Sequence, residues 1–397
     1  MQSSKLKNSN QKIGVIVVGG HFQGLGVIRS LGRRRIPVFL LDSEISLARF
    51  SRYATFFKSC PPPSNHEAFL NFLKTLVEDY GLEGWIVIPT DDETVYFLSK
   101  YRNALEKYVR VSISSWESIQ FAYEKKLTYQ RAESLGIDIP QTYNPLSEHQ
   151  IKALDIEYPA VIKPSICKNF YSKARIKAFL AKGPEEAIRK YRLMASVIPP
   201  DEILIQEFIP GGARHLFSYC CYFKDGEVLS KITANRQRQH PTVFGHATTY
   251  AISVHVPQLE SISIKFLQAI GFSGLAEVEF MHDPRDGKFK LLEVNPRIWG
   301  WHTLAIRAGA DLPFVLYQDL MGANPMPGDF RENVKWIRLV TDIPTALVEI
   351  AGERLSFREF IGSFRGEREF AVLSLRDPAP FFAELLLLPY LWHKKGF

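Results

Sequence analysis

The segment KLLEVNPRIWG, Lys290–Gly300, sets an acid, an amide and a guanidinium at every second position. A strand turns successive side chains to opposite faces. Glu293, Asn295 and Arg297 then line one face, and Leu292, Val294 and Pro296 the other. Taken alone, such a row also fits a solvated sheet face, so what lies across from it decides. The segment GFSGLAEVEFMHDPRDGKF carries a turn at Asp283–Gly287. Folding that hairpin about Asp286 brings Glu279, seven residues before it, opposite Glu293, seven residues after it. Cβ atoms of such a pair lie about 5 Å apart, where like charges destabilise unless compensated. Arg297, a shared proton or a divalent metal would each compensate. Two carboxylates and an amide carbonyl are hard oxygen donors of the kind Mg²⁺ takes, leaving the rest of its shell to water and phosphate oxygens. The spacing therefore predicts a metal–polyphosphate platform with Arg297 as a phosphate fork.

Two kinds of scaffold must position this row. GVIVVGG (Gly14–Gly20), IPVFLLD (Ile36–Asp42), WIVIPTDDE (Trp85–Glu93) and VRVSISS (Val109–Ser115) read as buried parallel strands, with helical segments such as NHEAFLNFLKTLVEDYG between them. This is an α/β parallel-sheet, Rossmann-like domain over 12–115. Beyond Ser115 the pattern changes to mixed α+β. A helix, EKKLTYQRAESLG, precedes the strands YPAVIKP, ILIQEFIPGG and HLFSYCCYFKDGEVLSKITA, the last turning at Lys224-Asp225-Gly226.

With these elements in place, the chain resembles the ATP-grasp superfamily of carboxylate–amine and carboxylate–thiol ligases. It is most similar to the stand-alone carboxylate–amine ligase branch related to the carbamoyl-phosphate synthase large chain. The resemblance runs from about Gly14 to Gly322, and VEF followed by LLEVNPR is its most specific part. It implies an α/β pre-ATP-grasp domain, then an α+β ATP-grasp domain with two lobes over 116–325, and leaves 326–397 as an appendage of unassigned role. By resemblance, Glu279, Glu293 and Asn295 hold Mg²⁺, with Mn²⁺ as an alternative, bridging ATP phosphates, and Asn295 and Arg297 act in catalysis. EKKLTYQRAESLGIDIP supplies Lys125, favoured over Lys126 by its spacing to Gly136, and YPAVIKP supplies Lys163. Two ammonium groups facing a triphosphate offset its charge on burial. IQEFIPGG resembles the adenine-clamping hinge and implicates Gln206, Glu207 and Ile209, with His215 toward the ribose. ITANRQRQHP adds Arg236 and Arg238, with Lys231 nearby. One of these would reach phosphates or a carboxylate, while each taken singly reads as a surface residue. The implied activity is ATP-dependent phosphorylation of a carboxylate to an acyl phosphate, followed by amide formation with an amine. The implied partners are small molecules, with a homodimer as the family's usual assembly.

The sequence departs from the family in one place. PSICKNFYSKARIKAF, after the strand lysine, contains no glycine, where many members cover the phosphates with glycine-rich backbone. Lys168 and Lys173 are the candidate substitutes.

Other readings stay open. Gly20, Gly24 and Gly26 with Asp42 invite a NAD(P)-dependent oxidoreductase, but their spacing is G-x-x-x-G-x-G and not G-x-G-x-x-G. A non-catalytic nucleotide-binding or scaffold protein is the third reading, favoured if the missing glycine loop has removed activity. Asp91, Asp92 and Glu93 follow a strand end, where they would cap a helix or meet an amine substrate. The formal charge of +7 suits anionic ligands, but no basic run with interleaved aromatics points to nucleic acid. Cys60, Cys167, Cys220 and Cys221 have no metal or disulfide spacing, which fits a reduced, cytoplasmic setting. MQSSKLKNSNQK lacks the apolar core of a signal peptide, and 1–11 reads as a disordered tail. FFAELLLLPYLW, Phe381–Trp392, is too short to span a bilayer and reads as a buried or partly exposed terminal helix. The following HKKGF leaves peripheral membrane contact as an alternative.

Overall fold

The computed structural model describes residues 12–242, 245, 247–325 and 328–395, with side chains to Leu391. The expected tail, 1–11, lies outside the described residues, as do the side chains of the basic C-terminal segment. Strands β1 (Val15–Val18), β2 (Val38–Asp42), β3 (Phe56–Ser59), β4 (Ile86–Pro89) and β5 (Arg110–Val111) form a parallel sheet in the order β3-β2-β1-β4-β5. Every residue of β1, β2 and β4 is buried, as expected when helices cover both faces. Asp91 accepts the Thr94 N–H and caps the helix Asp92–Lys100, so the capping reading holds for that residue.

A second sheet, antiparallel with four strands, contains β6 (Thr142–Tyr143), β7 (Ala160–Pro164), β8 (Phe179–Ala181) and β9 (Ile203–Glu207) in the order β6-β9-β7-β8. It has a core of its own, with Ile162, Phe170, Tyr191, Met194 and Ile205.

The third sheet is the largest. It orders β14 (Phe289–Asn295), β13 (Gly274–His282), β10 (Leu216–Lys224), β11 (Glu227–His240), β12 (Ala247–Ser253), β15 (Lys335–Ile337) and β16 (Arg368–Phe370) in that sequence. Asp225 and Gly226 both take positive φ at the β10–β11 turn, as a type I′ hairpin requires. Cys220 and Cys221 are buried in β10 as packing residues. This sheet packs onto the parallel domain through two shared cores. One joins Ile16 and Val87 with Tyr219, Phe223 and Phe280; the other joins Val17 and Leu25 with Trp299 and Trp336.

The segment after 326, read as an appendage, extends this sheet: β15 pairs with β12 and β16 with β15. Buried ion pairs tie it down. Arg238 on β11 makes a two-pronged contact with Asp342 at 2.8 and 2.7 Å. Arg338 reaches Glu384 at 3.1 Å, and Arg29 reaches Asp377 at 2.9 Å. The terminal helix Ala379–Lys395 buries Glu384 and Leu391 and exposes Phe382 and Leu386. Among the described residues no helix is long and apolar enough to cross a membrane.

Arg238 and Asp342 are almost wholly buried, so removing one partner strands the other's charge, a loss of roughly 3–5 kcal/mol. Asp342→Ala is therefore expected to lower the melting temperature strongly, whereas Asp138→Ala, which breaks the exposed pair with Lys288, leaves it unchanged. Equal shifts in the two variants would refute this weighting.

Candidate active site

The β13–β14 hairpin pairs Glu279 directly with Glu293 and Glu277 with Asn295, the arrangement expected of the alternating row. Glu277 was not singled out in the sequence, although the E-x-E alternation with Glu279 was its signal. Asn295 Nδ2 donates to Glu277 Oε2 at 3.1 Å and to Glu279 Oε1 at 2.9 Å. Ser218 Oγ donates to Glu277 Oε1 at 3.2 Å. Arg236 Nη2 lies 2.9 Å from Glu279 Oε2, and Lys125 Nζ 2.5 Å from Glu293 Oε2. Arg297 contacts Asp92 at 2.5 Å and donates to Asn295 Oδ1 at 3.3 Å. The acidic row is thus cross-linked to a residue of the parallel domain, a connection with no local signal in the sequence.

The electrostatics follow from this crowding. Burial, and the neighbouring Glu279, push the Glu277 carboxyl well above the ordinary range. Burial raises Glu279 as well, against the pull of Arg236. Lys125 holds Glu293 well below the usual range. Burial works against the Lys125 ammonium, yet Glu293 raises it overall.

Two cavities meet at these carboxylates. The first, of about 330 Å³, is lined by Lys125, Lys163, Gln206, Glu207, Ile209, Met281 and Leu292. Lys163 Nζ donates to Gln206 Oε1 at 2.7 Å and to Tyr129 Oη at 2.6 Å. Glu207 accepts from Lys290 at 2.9 Å and Arg285 at 2.6 Å, so its charge is already matched. The second cavity, of about 270 Å³, holds His21 and Phe22 of the parallel domain, with Asn295, Arg297, Trp299, Trp301 and Arg338. Lys177, Arg236, Glu279 and Glu293 line both.

Several expectations need correction. His215 does not line either cavity; its Nδ1 meets the His282 carbonyl at 3.0 Å and its ring stacks on His282. Arg236 and Arg238 are not surface residues: a register shift around Gln237 sends Arg236 to Glu279 and Arg238 to Asp342. Lys231 pairs with Glu260, away from the carboxylates. The glycine-free segment forms a helix, Cys167–Ala174, in which Lys168 pairs with Glu93 and Lys173 with the Val197 carbonyl. Lys177, beyond that helix, is the lysine the two cavities share. Asp42, the candidate dinucleotide acid, accepts the Gly20 N–H at 2.6 Å and the Glu44 N–H at 2.9 Å and is buried. A Cβ at position 24 would fall 2.1 Å from the Gly19 carbonyl oxygen, so that glycine serves close packing of the turn.

Residues 124–318 match the family model described as "Carbamoyl-phosphate synthase L chain, ATP binding domain". Residues 124–318 form an ATP-grasp domain. D-aspartate ligase of Enterococcus faecium (strain Aus0004) is 24% identical over 241 residues, 58% of this chain and 57% of that ligase. The chain thus spans little more than half the length of that relative. Biotin carboxylase of Campylobacter jejuni, solved as a β,γ-ATP complex, shares the fold with a TM-score of 0.64 and 17% identity, over 82% of this chain and 74% of that one. The L-amino acid ligase of Bacillus licheniformis superposes with a TM-score of 0.61 and 16% identity, over 82% of this chain and 78% of that one.

The donor set fits a divalent ion. Among the described residues no three His, Cys, Asp or Glu side chains converge as a preformed cage. What the ATP-grasp domain offers is a pair of opposed carboxylates, each with one cation beside it, the protein's share of a Mg²⁺ site that water and phosphate would complete.

Lys125→Met tests this. In the native protein the Lys125–Glu293 contribution is in place above about pH 4.5, the unfolded carboxyl value, and fades as the pH falls toward the depressed folded value. Without the ammonium, Glu293 faces Glu279 uncompensated and its pKa rises, so stability falls as the pH rises. The side chains are 19% and 33% exposed. The expected loss is therefore about 1–3 kcal/mol, less than for a fully buried pair. The drop in melting temperature should deepen from pH 5 to 8, and millimolar Mg²⁺ without nucleotide should recover part of it. A drop indifferent to both pH and Mg²⁺ would count against mutual repulsion of the carboxylates.

Proposed function

We propose that this chain is an ATP- and Mg²⁺-dependent carboxylate–amine ligase. The observation that carries the reading is the meeting of two cavities at the Glu279–Glu293 pair, one rich in lysines and one reaching into the parallel domain. In this reading the first cavity is the nucleotide site between the two lobes of the ATP-grasp domain. The β9 segment from Gln206 to Ile209 meets adenine, and Lys125 and Lys163 face the phosphates. Glu279 and Glu293, with Asn295 turning its oxygen inward, would hold Mg²⁺, which when bound neutralises phosphate charge. The second cavity takes the carboxylate and the amine.

The chain's own groups account for the chemistry. Arg297 and Arg236 fix the carboxylate and the γ-phosphoryl group in line, which is most of what phosphoryl transfer requires. A carboxylate oxygen bonds to the γ-phosphorus as its bond to the β-bridging oxygen breaks, giving an acyl phosphate and ADP. The amine nitrogen then attacks the acyl carbon, phosphate leaves with the carbon–oxygen bond electrons, and the surplus amine proton is released. Asp92, which orients Arg297, is a positioning residue. Supporting this reading, two relatives are named D-aspartate ligase and L-amino acid ligase, and amino acids carry both a carboxylate and an amine. Asp42, engaged by backbone amides, weakens the oxidoreductase alternative. A homodimer remains a proposal that light scattering would check.

Melting with ATP plus Mg²⁺, ATP plus EDTA, and NADH tests the assignment. Ligand at about 100 times its Kd adds roughly 2.7 kcal/mol. Wild type should shift only with Mg²⁺–ATP, and Glu293→Gln should lose both that shift and turnover. An NADH shift with none from ATP would sink the ligase reading. ATP binding without turnover against any carboxylate and amine would favour the non-catalytic alternative.

A further inference from the structure

The second cavity has two unlike faces. One is the charged row: Glu277, Glu279, Glu293 and Arg297. The other is apolar and drawn from three separate parts of the chain. Leu47, Trp299 and Trp301 are 1%, 1% and 4% exposed and belong to a single core cluster, with Phe22 packed against it. Trp299 and Trp301 meet edge to face at 5.5 Å. Leu391, 2% exposed, comes from the terminal helix, which packs on the short helix Leu47–Phe50.

Lys177, Arg236 and Arg297 lie toward the charged row, and the cation against the aromatic face is already committed. The Arg338 guanidinium lies 4.3 Å from the centre of the Phe22 ring and pairs with buried Glu384 of the same terminal helix. Its charge is neutralised from within, so it offers little to a second ligand carboxylate. A cavity of about 270 Å³ suits small-molecule substrates.

We infer that the carboxylate substrate carries a bulky aromatic or branched aliphatic group and no second negative charge, with Leu391 as a specificity-determining wall. This rests on the ligase reading. The carboxylate lies against Arg297 and Arg236, and the apolar group lies against Trp299, Trp301 and Leu391. Filling that side removes apolar ligand surface from water, and a methylene of mismatch in such a pocket changes kcat/KM by about 10- to 200-fold.

The test uses the full chain with ATP, Mg²⁺ and hydroxylamine, which traps an acyl phosphate as hydroxamate whatever the natural amine. Phenylalanine, tryptophan, leucine and phenylacetate are compared with alanine, aspartate and glutamate. At least tenfold higher kcat/KM is expected for a bulky apolar carboxylate over aspartate and alanine. Leu391→Trp should raise KM for that substrate at least tenfold, with a smaller effect for alanine. Leu391→Ala should relax the preference, which covers a Leu391→Trp chain that fails to fold. Hydroxamate from small or acidic carboxylates alone would overturn this inference and leave the ligase standing. No hydroxamate from any carboxylate, with Mg²⁺–ATP still bound, would remove both.

Discussion

Between Glu279 and Phe280 the β13–β14 ladder slips by one residue, and the acidic row exists because of that slip. Near the turn Phe280 pairs with Leu291, and continuing that register would set Glu279 against Leu292 and Glu293 against Val278, on the other face. Leu292 is the extra residue, and beyond it Glu279 meets Glu293 and Glu277 meets Asn295. A bulge leaves its residue outside the ladder. Here Tyr129 Oη donates to the Leu292 carbonyl at 2.7 Å and accepts from Lys163 Nζ at 2.6 Å. The defect that builds the acidic row is therefore held by the hydroxyl that also holds a lysine of the first cavity.

Gathering carboxylates in this way is costly, and the offsetting cations come from different parts of the chain. Lys125 stands at the start of a helix, Arg236 on β11, and Arg297 beyond β14 with Asp92 of the parallel domain as its counter-ion. Each cation is matched to one acid, so a ligand phosphate entering the cavity competes with carboxylates for the same guanidinium or ammonium groups. A divalent ion taking the carboxylates would release those groups toward the phosphates. The parallel domain belongs to the site for the same reason: without Asp92, Arg297 keeps only its longer contacts to Asn295 Oδ1 and the Ile298 carbonyl, both at 3.3 Å.

The parts of this arrangement legible in the sequence were those with a local signal. The glycine-bearing turn fixed the centre of the last hairpin, so Glu279 and Glu293 could be paired by symmetry, although the symmetry is met only through the Leu292 bulge. The apolar runs of β1, β2 and β4 announced the parallel sheet. Lys125 and Lys163 were found through resemblance and do line the first cavity. Residues brought in by irregular backbone or distant packing were not legible. Arg236 and Arg238 alternate as if sharing a face, and only the shift at Gln237 separates them. Lys177 lies in a loop with no period, and Asp92 looks like an ordinary first-turn acid. The C-terminal segment gave no hint that two of its strands complete the large sheet, because β15 and β16 are only three residues each.

The distribution of cores implies a division between the two cavities. The four-stranded sheet carrying Lys163 and Gln206 has a separate apolar cluster, so it can shift relative to the rest without disrupting another core. The second cavity has no such freedom: Leu47, Trp299 and Trp301 sit in a cluster that joins the parallel domain to the large sheet. Packed interiors respond to altered volume by loss of stability rather than by smooth adjustment. On the proposed ligase reading, the lysine-lined cavity is the one free to close around its ligand, while the second cavity selects by a shape already set. Changing that shape through Trp299 would disturb the junction of two domains. Changing it through Leu391 touches a helix at the edge of that junction, which is where altered acceptor preference would cost the fold least.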